Sequence, residues 1–165
     1  GINLDYFDQS TGERFIPHIV ETSIGLARML LMFIDNAYRE ETDEKGDTRV
    51  WLALPPSLAP IKCAVFPLLK NRPELVERAK QIHNELKRHF MCEFDDNGNV
   101  GKRYRRQDEI GTPWCIVVDF DTTGTGDNTD PSLLDTVTIR DRDTGEQQRI
   151  AISELVGYIQ TRINS

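Results

Sequence analysis

Ile61-Lys62-Cys63-Ala64-Val65-Phe66-Pro67-Leu68 is a short apolar run, and the pattern on its C-terminal side decides the fold. There Pro73 opens a segment in which Leu75, Ala79, Ile82 and Leu86 recur at i, i+4, i+7 and i+11, the period of a helix with one buried face. Proline is tolerated in the first turn because its missing N–H would have had no intrahelical partner there. Phe90 to Phe94 is a second short strand, so the unit reads strand–helix–strand. Downstream, Asn97-Gly98 turns the chain into a charged helix over Val100 to Ile110. Trp114 to Phe120 contains Ile116-Val117-Val118, a continuous apolar run expected of a central strand covered on both faces. Thr136–Arg140 and Glu146–Ile152 form a hairpin about Asp143-Thr144-Gly145. Ser153 is placed to cap a last helix carrying Leu155, Val156, Ile159 and Ile163. The order β-α-β-α-β-β-β-α predicts an α/β domain with a mixed sheet.

Upstream, Pro55, Pro56 and Pro60 punctuate the chain and mark a boundary. Ile2 to Phe7 alternates apolar and polar residues, Ser10-Thr11-Gly12 is a turn, and Phe15 to Val20 is expected to return as a second strand. Pro17 then belongs on an edge or at a bulge. Ile24 to Tyr38 is apolar on almost every face, the pattern of a buried helix. Arg39 to Arg49 is charged, contains Gly46 and reads as an exposed loop; Asp121 to Pro131 reads as another, a mobile one. The expected organisation is residues 1–45, a linker over 46–58, and an independent domain over 59–165, with no internal repeat.

The chain has 165 residues, 38% of them hydrophobic, enough for a core without disulfides or metal. No run of about 20 apolar residues predicts a membrane span, and a polar start with Asp5 and Asp8 does not read as a signal peptide. Cys63, Cys92 and Cys115 are odd in number and lack CxxC spacing; Cys63 and Cys115 lie in apolar runs, as reduced buried thiols of a cytoplasmic protein would. A net charge of −7 argues against nucleic-acid binding by bulk charge. One local basic patch stands out, Lys102, Arg103, Arg105 and Arg106 around Tyr104: cations for phosphates and a ring for stacking. A solvated helix face, with Asp108 and Glu109 pairing inside the run, would look the same. Arg140-Asp141-Arg142-Asp143 reads as an ion-pair ladder across its hairpin, with RNA contact by Arg140 or Arg142 an unforced alternative. Gly98-Asn99-Val100-Gly101 fits a GxxG loop, a pattern too common to weigh. His18 has no companion nucleophile or metal-ligand spacing and reads as structural.

Three stretches resemble bacterial-type dimeric glycyl-tRNA synthetases. Thr11-Gly12-Glu13-Arg14-Phe15-Ile16-Pro17-His18-Ile19-Val20-Glu21, continuing through Thr22-Ser23-Ile24-Gly25-Leu26-Ala27-Arg28, is similar to the family's third class II signature. Leu58-Ala59-Pro60-Ile61-Lys62 is similar to the start of its anticodon-binding domain. Gly98 to Pro113, including Lys102-Arg103-Tyr104-Arg105-Arg106-Gln107-Asp108-Glu109-Ile110-Gly111-Thr112-Pro113, is similar to a third block, echoed by Thr136 to Thr144. Thr22 stands where the family usually has proline, and Ala27 where it often has an acidic residue.

The resemblance implies a class II anticodon-binding domain preceded by a hairpin and helix from the end of the catalytic domain. It implies a parent that attaches glycine to tRNA-Gly with ATP as substrate and Mg2+ alongside, holding no permanent cofactor and no metal on these residues. The partners would be tRNA-Gly, glycine, ATP and a second subunit of a homodimer, with no membrane. Arg28 would grip the outer phosphate of ATP, with Gly25, Leu26 and Ala27 beside the nucleotide. Glu21, Thr22, Ser23, Ile24 and Gly25 would line the glycine pocket, where a carboxylate meets the ammonium and little room is left for a side chain. The anticodon would meet Lys102, Arg103, Tyr104, Arg105 and Arg106. The first two class II signatures are expected upstream of Gly1, so the chain is expected to be part of a longer synthetase and inactive alone. A non-catalytic RNA- or DNA-binding accessory protein is the alternative, against which the retention of Glu21, Ser23, Gly25 and Arg28 speaks.

Overall fold

The computed structural model describes residues 4–42, 46–127 and 129–164, so Ile2 and Asn3 of the first expected strand and Asn128 of the loop expected over Asp121 to Pro131 lie outside the described residues. The chain divides into two units, Gly1–Leu31 and Met32–Ser165.

In the smaller unit β1 (Tyr6–Phe7) pairs antiparallel with β2 (Arg14–Phe15). Tyr6 meets Phe15 edge to face, and the Asp8 carboxylate accepts from the Ser10 N–H and hydroxyl at 2.8 and 2.7 Å, closing the turn. The second strand is shorter than the sequence pattern suggests. Pro17 has no N–H to continue a ladder, and from Ile16 to Gly25 no regular element forms. Helix α1 (Leu26–Ala37) comes next, its first residues in this unit and Met32–Ala37 in the larger one; Leu26, Leu30, Leu31 and Ile34 are exposed, and Ala37 is buried with Leu54 and Ala59.

The larger unit holds a five-stranded mixed sheet of order β6-β5-β7-β8-β9. Strands β5 (Cys63–Pro67), β6 (Cys92–Phe94) and β7 (Trp114–Val118) are parallel, and β8 (Thr136–Asp141) and β9 (Gln147–Ala151) continue antiparallel. Helix α2 (Pro73–Leu86) buries the Leu75, Ala79, Ile82 and Leu86 stripe. It lies with α5 (Leu155–Ile163) on the face bearing Cys63, Val65, Ile116, Val118, Val137 and Ile139. Helix α3 (Val100–Ile110) covers the other face, where its Val100 and Tyr104 pack on Ala64 and Phe66 of β5 and Cys115 and Val117 of β7. On that face Arg140 lies opposite Cys115 and Gln147, and Thr138 opposite Val117 and Arg149, so β8 and β9 carry polar side chains there.

Local chemistry corrects several expectations. Arg39 to Arg49 is not a loop: β3 (Tyr38–Thr42) and β4 (Thr48–Leu52) pair antiparallel, with residues 43–45 outside the described set. Charged residues on both faces hid the alternation, and the hairpin rests on its backbone ladder and a Thr42–Thr48 hydroxyl contact of 3.2 Å. Nor is the stretch read as a linker detached, since β4 packs along α3. Asp119 and Thr122 form a reciprocal capping box that starts a short helix, α4 (Phe120–Thr123), inside the expected loop. Ser153 caps nothing; it sits in a 3-10 turn, and α5 begins without a side-chain cap.

Candidate nucleic-acid interface

Asn99 starts α3, its side chain accepting from the Lys102 N–H at 2.9 Å. The helix ends at Gly111, whose φ of +81° is the left-handed conformation that suits glycine. A Cβ there would sit 3.0 Å from the Leu52 carbonyl oxygen, so the same glycine also lets β4 approach.

The five residues of the basic patch part company on this helix. Lys102 and Arg105 are exposed. Arg103 is buried, donating to the carbonyls of Pro67, Asp96 (3.0 Å) and Gly98 (2.7 Å), and so cannot reach an RNA phosphate. Arg106 is paired with Asp95 through Nε and Nη2 and also donates to the Asn97 carbonyl. Tyr104 is half-buried, edge to face with Phe66, and burial raises its phenol pKa to about 12. A linear sequence cannot distinguish these fates, because the i, i+4 period of α3 turns Arg103 and Gln107 inward.

The structure brings together a different set. Asp108, buried one turn beyond Tyr104, accepts from Arg49 Nε on β4 at 2.9 Å and from Arg140 Nη1 on β8 at 3.0 Å. Neither partner belongs to the basic run, contrary to the internal pairing the sequence allowed. The Arg49 guanidinium lies 4.4 Å from the Trp51 ring centroid and that of Arg140 4.7 Å from the Tyr104 centroid. Beside this cluster is an open cavity of about 410 Å³ lined by Glu41, Thr48, Arg49, Tyr104, Arg105 and Arg140, among others. Cations, carboxylates and an aromatic ring around one recess are what a splayed-out base requires. Arg49 was missed because it lay in a supposed loop 59 residues from its partner.

Arg142 is not part of an ion-pair ladder. It is buried, donating to the Gly111 carbonyl at 2.7 Å and the Leu54 carbonyl at 2.8 Å, and pairing with Asp143. Asp141 instead accepts from the Asp143 and Thr144 N–H groups in the hairpin turn. On the open part of the sheet Arg149 is held by Asp119, Thr136 and Thr138.

Residues 62–162 match the family model described as the anticodon binding domain. The chain belongs to that family. The chain is also 50% identical over 155 residues to a glycine–tRNA ligase of Deinococcus radiodurans, covering 93% of this chain and 31% of that protein. It is 47% identical over 160 residues to one of Lachnoclostridium phytofermentans, covering 97% and 32%. The chain thus spans about a third of the length of the curated relatives it matches, and its resemblance to glycyl-tRNA synthetases holds across nearly its whole length. A solved RNA-binding domain of a threonyl-tRNA synthetase from Cryptosporidium parvum Iowa II superposes with a TM-score of 0.55 at 22% identity, over 67% of this chain and 25% of that one. At that identity the likeness concerns the fold.

In the smaller unit Glu21, Thr22, Ser23, Ile24 and Gly25 form an exposed, irregular approach to α1. The Gly25 carbonyl accepts from the Met29 N–H at 3.0 Å, so the glycine begins the helix, followed by Leu26, Ala27 and Arg28. A Cβ on Gly25 would lie 3.9 Å from the Arg28 side chain, which folds back over it. Among the described residues no group of three or more His, Cys, Asp or Glu is placed to hold a metal ion. No helix of the described residues is long and apolar enough to cross a membrane. The three cysteines are free thiols; burial pushes the Cys115 thiol well above its ordinary range, and a hydrogen bond with Cys92 together with burial does the same for Cys63.

Proposed function

We propose that the chain is the anticodon-reading part of a glycine–tRNA ligase, joined to a piece of that enzyme's ATP and glycine site. The observation that carries the reading is the cavity beside Asp108, where Arg49, Arg105, Arg140, Tyr104 and Glu41 converge within a chain about half identical to glycine–tRNA ligases. Cytosine presents an amino donor and two acceptors on its pairing edge; carboxylates accept from the first and guanidinium groups donate to the others. Lys102 and Arg105 are the exposed cations of α3 and take the flanking phosphates. Arg103 and Arg106 hold the turn that leads into α3, through the carbonyls of Asp96, Asn97 and Gly98.

In the parent, Arg28 grips the outer phosphate of ATP, and Glu21 to Gly25 line the glycine pocket. What supports this is the place of Arg28 in the first turn of α1, exposed and directly after the Glu21 to Gly25 stretch. Mg2+ would accompany ATP, a second subunit would complete a homodimer, and the free cysteines suit a reducing cytoplasm. The test is binding of a tRNA-Gly anticodon stem-loop and of loops with either anticodon cytosine replaced. Weaker binding of both replaced loops is expected; equal affinity for all three would refute anticodon reading by this chain.

A further inference from the structure

Resting on the anticodon reading above, we propose that Asp108 is a positioning residue that sets base specificity: by holding Arg49 and Arg140 on one carboxylate it makes their guanidinium groups readers of a base edge rather than phosphate clamps. Asp108 touches no ligand itself under this assignment. It is buried, with its side chain 3% exposed, and it bridges three elements. Oδ2 accepts from Arg49 Nε on β4, and Oδ1 from Arg140 Nη1 on β8, with Arg140 Nη2 at 3.4 Å from Oδ2.

Three features favour positioning over ordinary ion pairing. Each guanidinium is also fixed by a ring, Trp51 under Arg49 and Tyr104 under Arg140, which sets the plane of the fork as well as its location. Arg49 is pinned a third time, Nη2 donating to the Arg142 carbonyl. Within the triad two cations face one carboxylate, and both arginines line the cavity, together with Arg105, Glu41, Asp47 and the edge of Asp108. A guanidinium has five N–H groups in a rigid fork. Among the described residues, Asp108 and the Arg142 carbonyl engage only some of those two sets. The cavity is thus offered oriented donors with half of their charge already neutralised. That suits the acceptors of a neutral base edge and reduces the attraction of a phosphate, for which two unpaired arginines would be better.

The experiment is Asp108→Asn in the full chain, titrated with the tRNA-Gly anticodon stem-loop and its two cytosine-replaced forms across a salt series. A well-placed arginine fork is worth about tenfold in base discrimination. The variant should lose most of that factor while total affinity for RNA holds or rises. Its log–log salt slope should steepen by about 0.7–0.9, because a released guanidinium now pairs with a phosphate. A uniform loss of affinity for all three loops, with discrimination and slope unchanged, would mean that Asp108 only supports the fold and would overturn the proposal. Should Asp108→Asn fail to fold, Arg140→Lys decides: it keeps the charge and the pairing with Asp108 but lacks the fork. Discrimination should then fall at an unchanged salt slope, and intact discrimination overturns the proposal. Wild-type chain that binds all three loops equally would sink the anticodon reading itself, and this assignment with it, a result separate from either variant's.

Discussion

Replacing Arg142 by methionine should destabilise the larger unit by several kcal/mol without touching the cavity wall directly. Its guanidinium donates to two carbonyls, Gly111 at the end of α3 and Leu54 just after β4, from a site only 2% exposed. Charge-assisted hydrogen bonds contribute about 1.5–3 kcal/mol each. The Asp143 carboxylate is half exposed, so its pairing adds little. Arg142→Met therefore leaves two carbonyls without donors, and the expected loss is roughly 3–5 kcal/mol. With a urea slope of about 1.5 kcal/mol/M, the midpoint falls by about 2–3 M. Both tryptophans, Trp51 on β4 and Trp114 on β7, lie in the larger unit, so their emission tracks its unfolding. Hydrogen exchange should show the largest gain in opening along β4, which loses its anchor at Leu54. A midpoint shift below about 0.5 M, at unchanged slope, would refute the claim that Arg142 ties the β3–β4 hairpin to the sheet.

Other consequences are equally open to measurement. Gly111→Ala forces a Cβ into the left-handed region and 3.0 Å from the Leu52 carbonyl oxygen, and should cost about 1–3 kcal/mol in urea unfolding. Tyr104, raised to about 12 by burial, should ionise late in a 295 nm alkaline titration, and Tyr104→Phe should remove that late step. The sign is fixed: its folded pKa lies above the unfolded value near 10, so the stability it contributes is whole below pH 10 and lost as pH climbs towards 12. Neutralising Lys102 and Arg105 together should flatten the salt dependence of RNA binding by up to about 1.4 in log–log slope and spare base discrimination. Arg103→Met should instead lower thermal stability, since its donors serve buried carbonyls.

The sheet and its helices were legible because their signals are local and apolar. The Leu75, Ala79, Ile82, Leu86 stripe is buried as its period requires, α3 runs over the residues expected of it, and the turn at Asp143-Thr144-Gly145 joins two real strands. The β3–β4 hairpin was not legible. Its residues are charged on both faces, and its place is fixed by Arg49 and Arg142 acting across 59 and 88 residues. The same limit governed the site. A cluster of adjacent cations looks like one patch in a sequence, yet on a helix Arg103 points to loop carbonyls, Arg106 to Asp95, and Lys102 and Arg105 to solvent. Asp108 passed for an internal counter-charge because both of its partners are remote in the chain.

The central claim is that a nucleobase of the anticodon enters the recess between the β3–β4 hairpin, α3 and β8. Backbone amide shifts of the labelled chain, monitored by NMR as the tRNA-Gly anticodon stem-loop is added, test it most directly. The largest changes should fall on Thr48 and Arg49, on Tyr104 to Asp108, and on Arg140, and should shrink when an anticodon cytosine is replaced. Shifts confined to α5 and the β8–β9 turn, with Thr48, Arg49, Tyr104 and Arg140 unmoved, would contradict it.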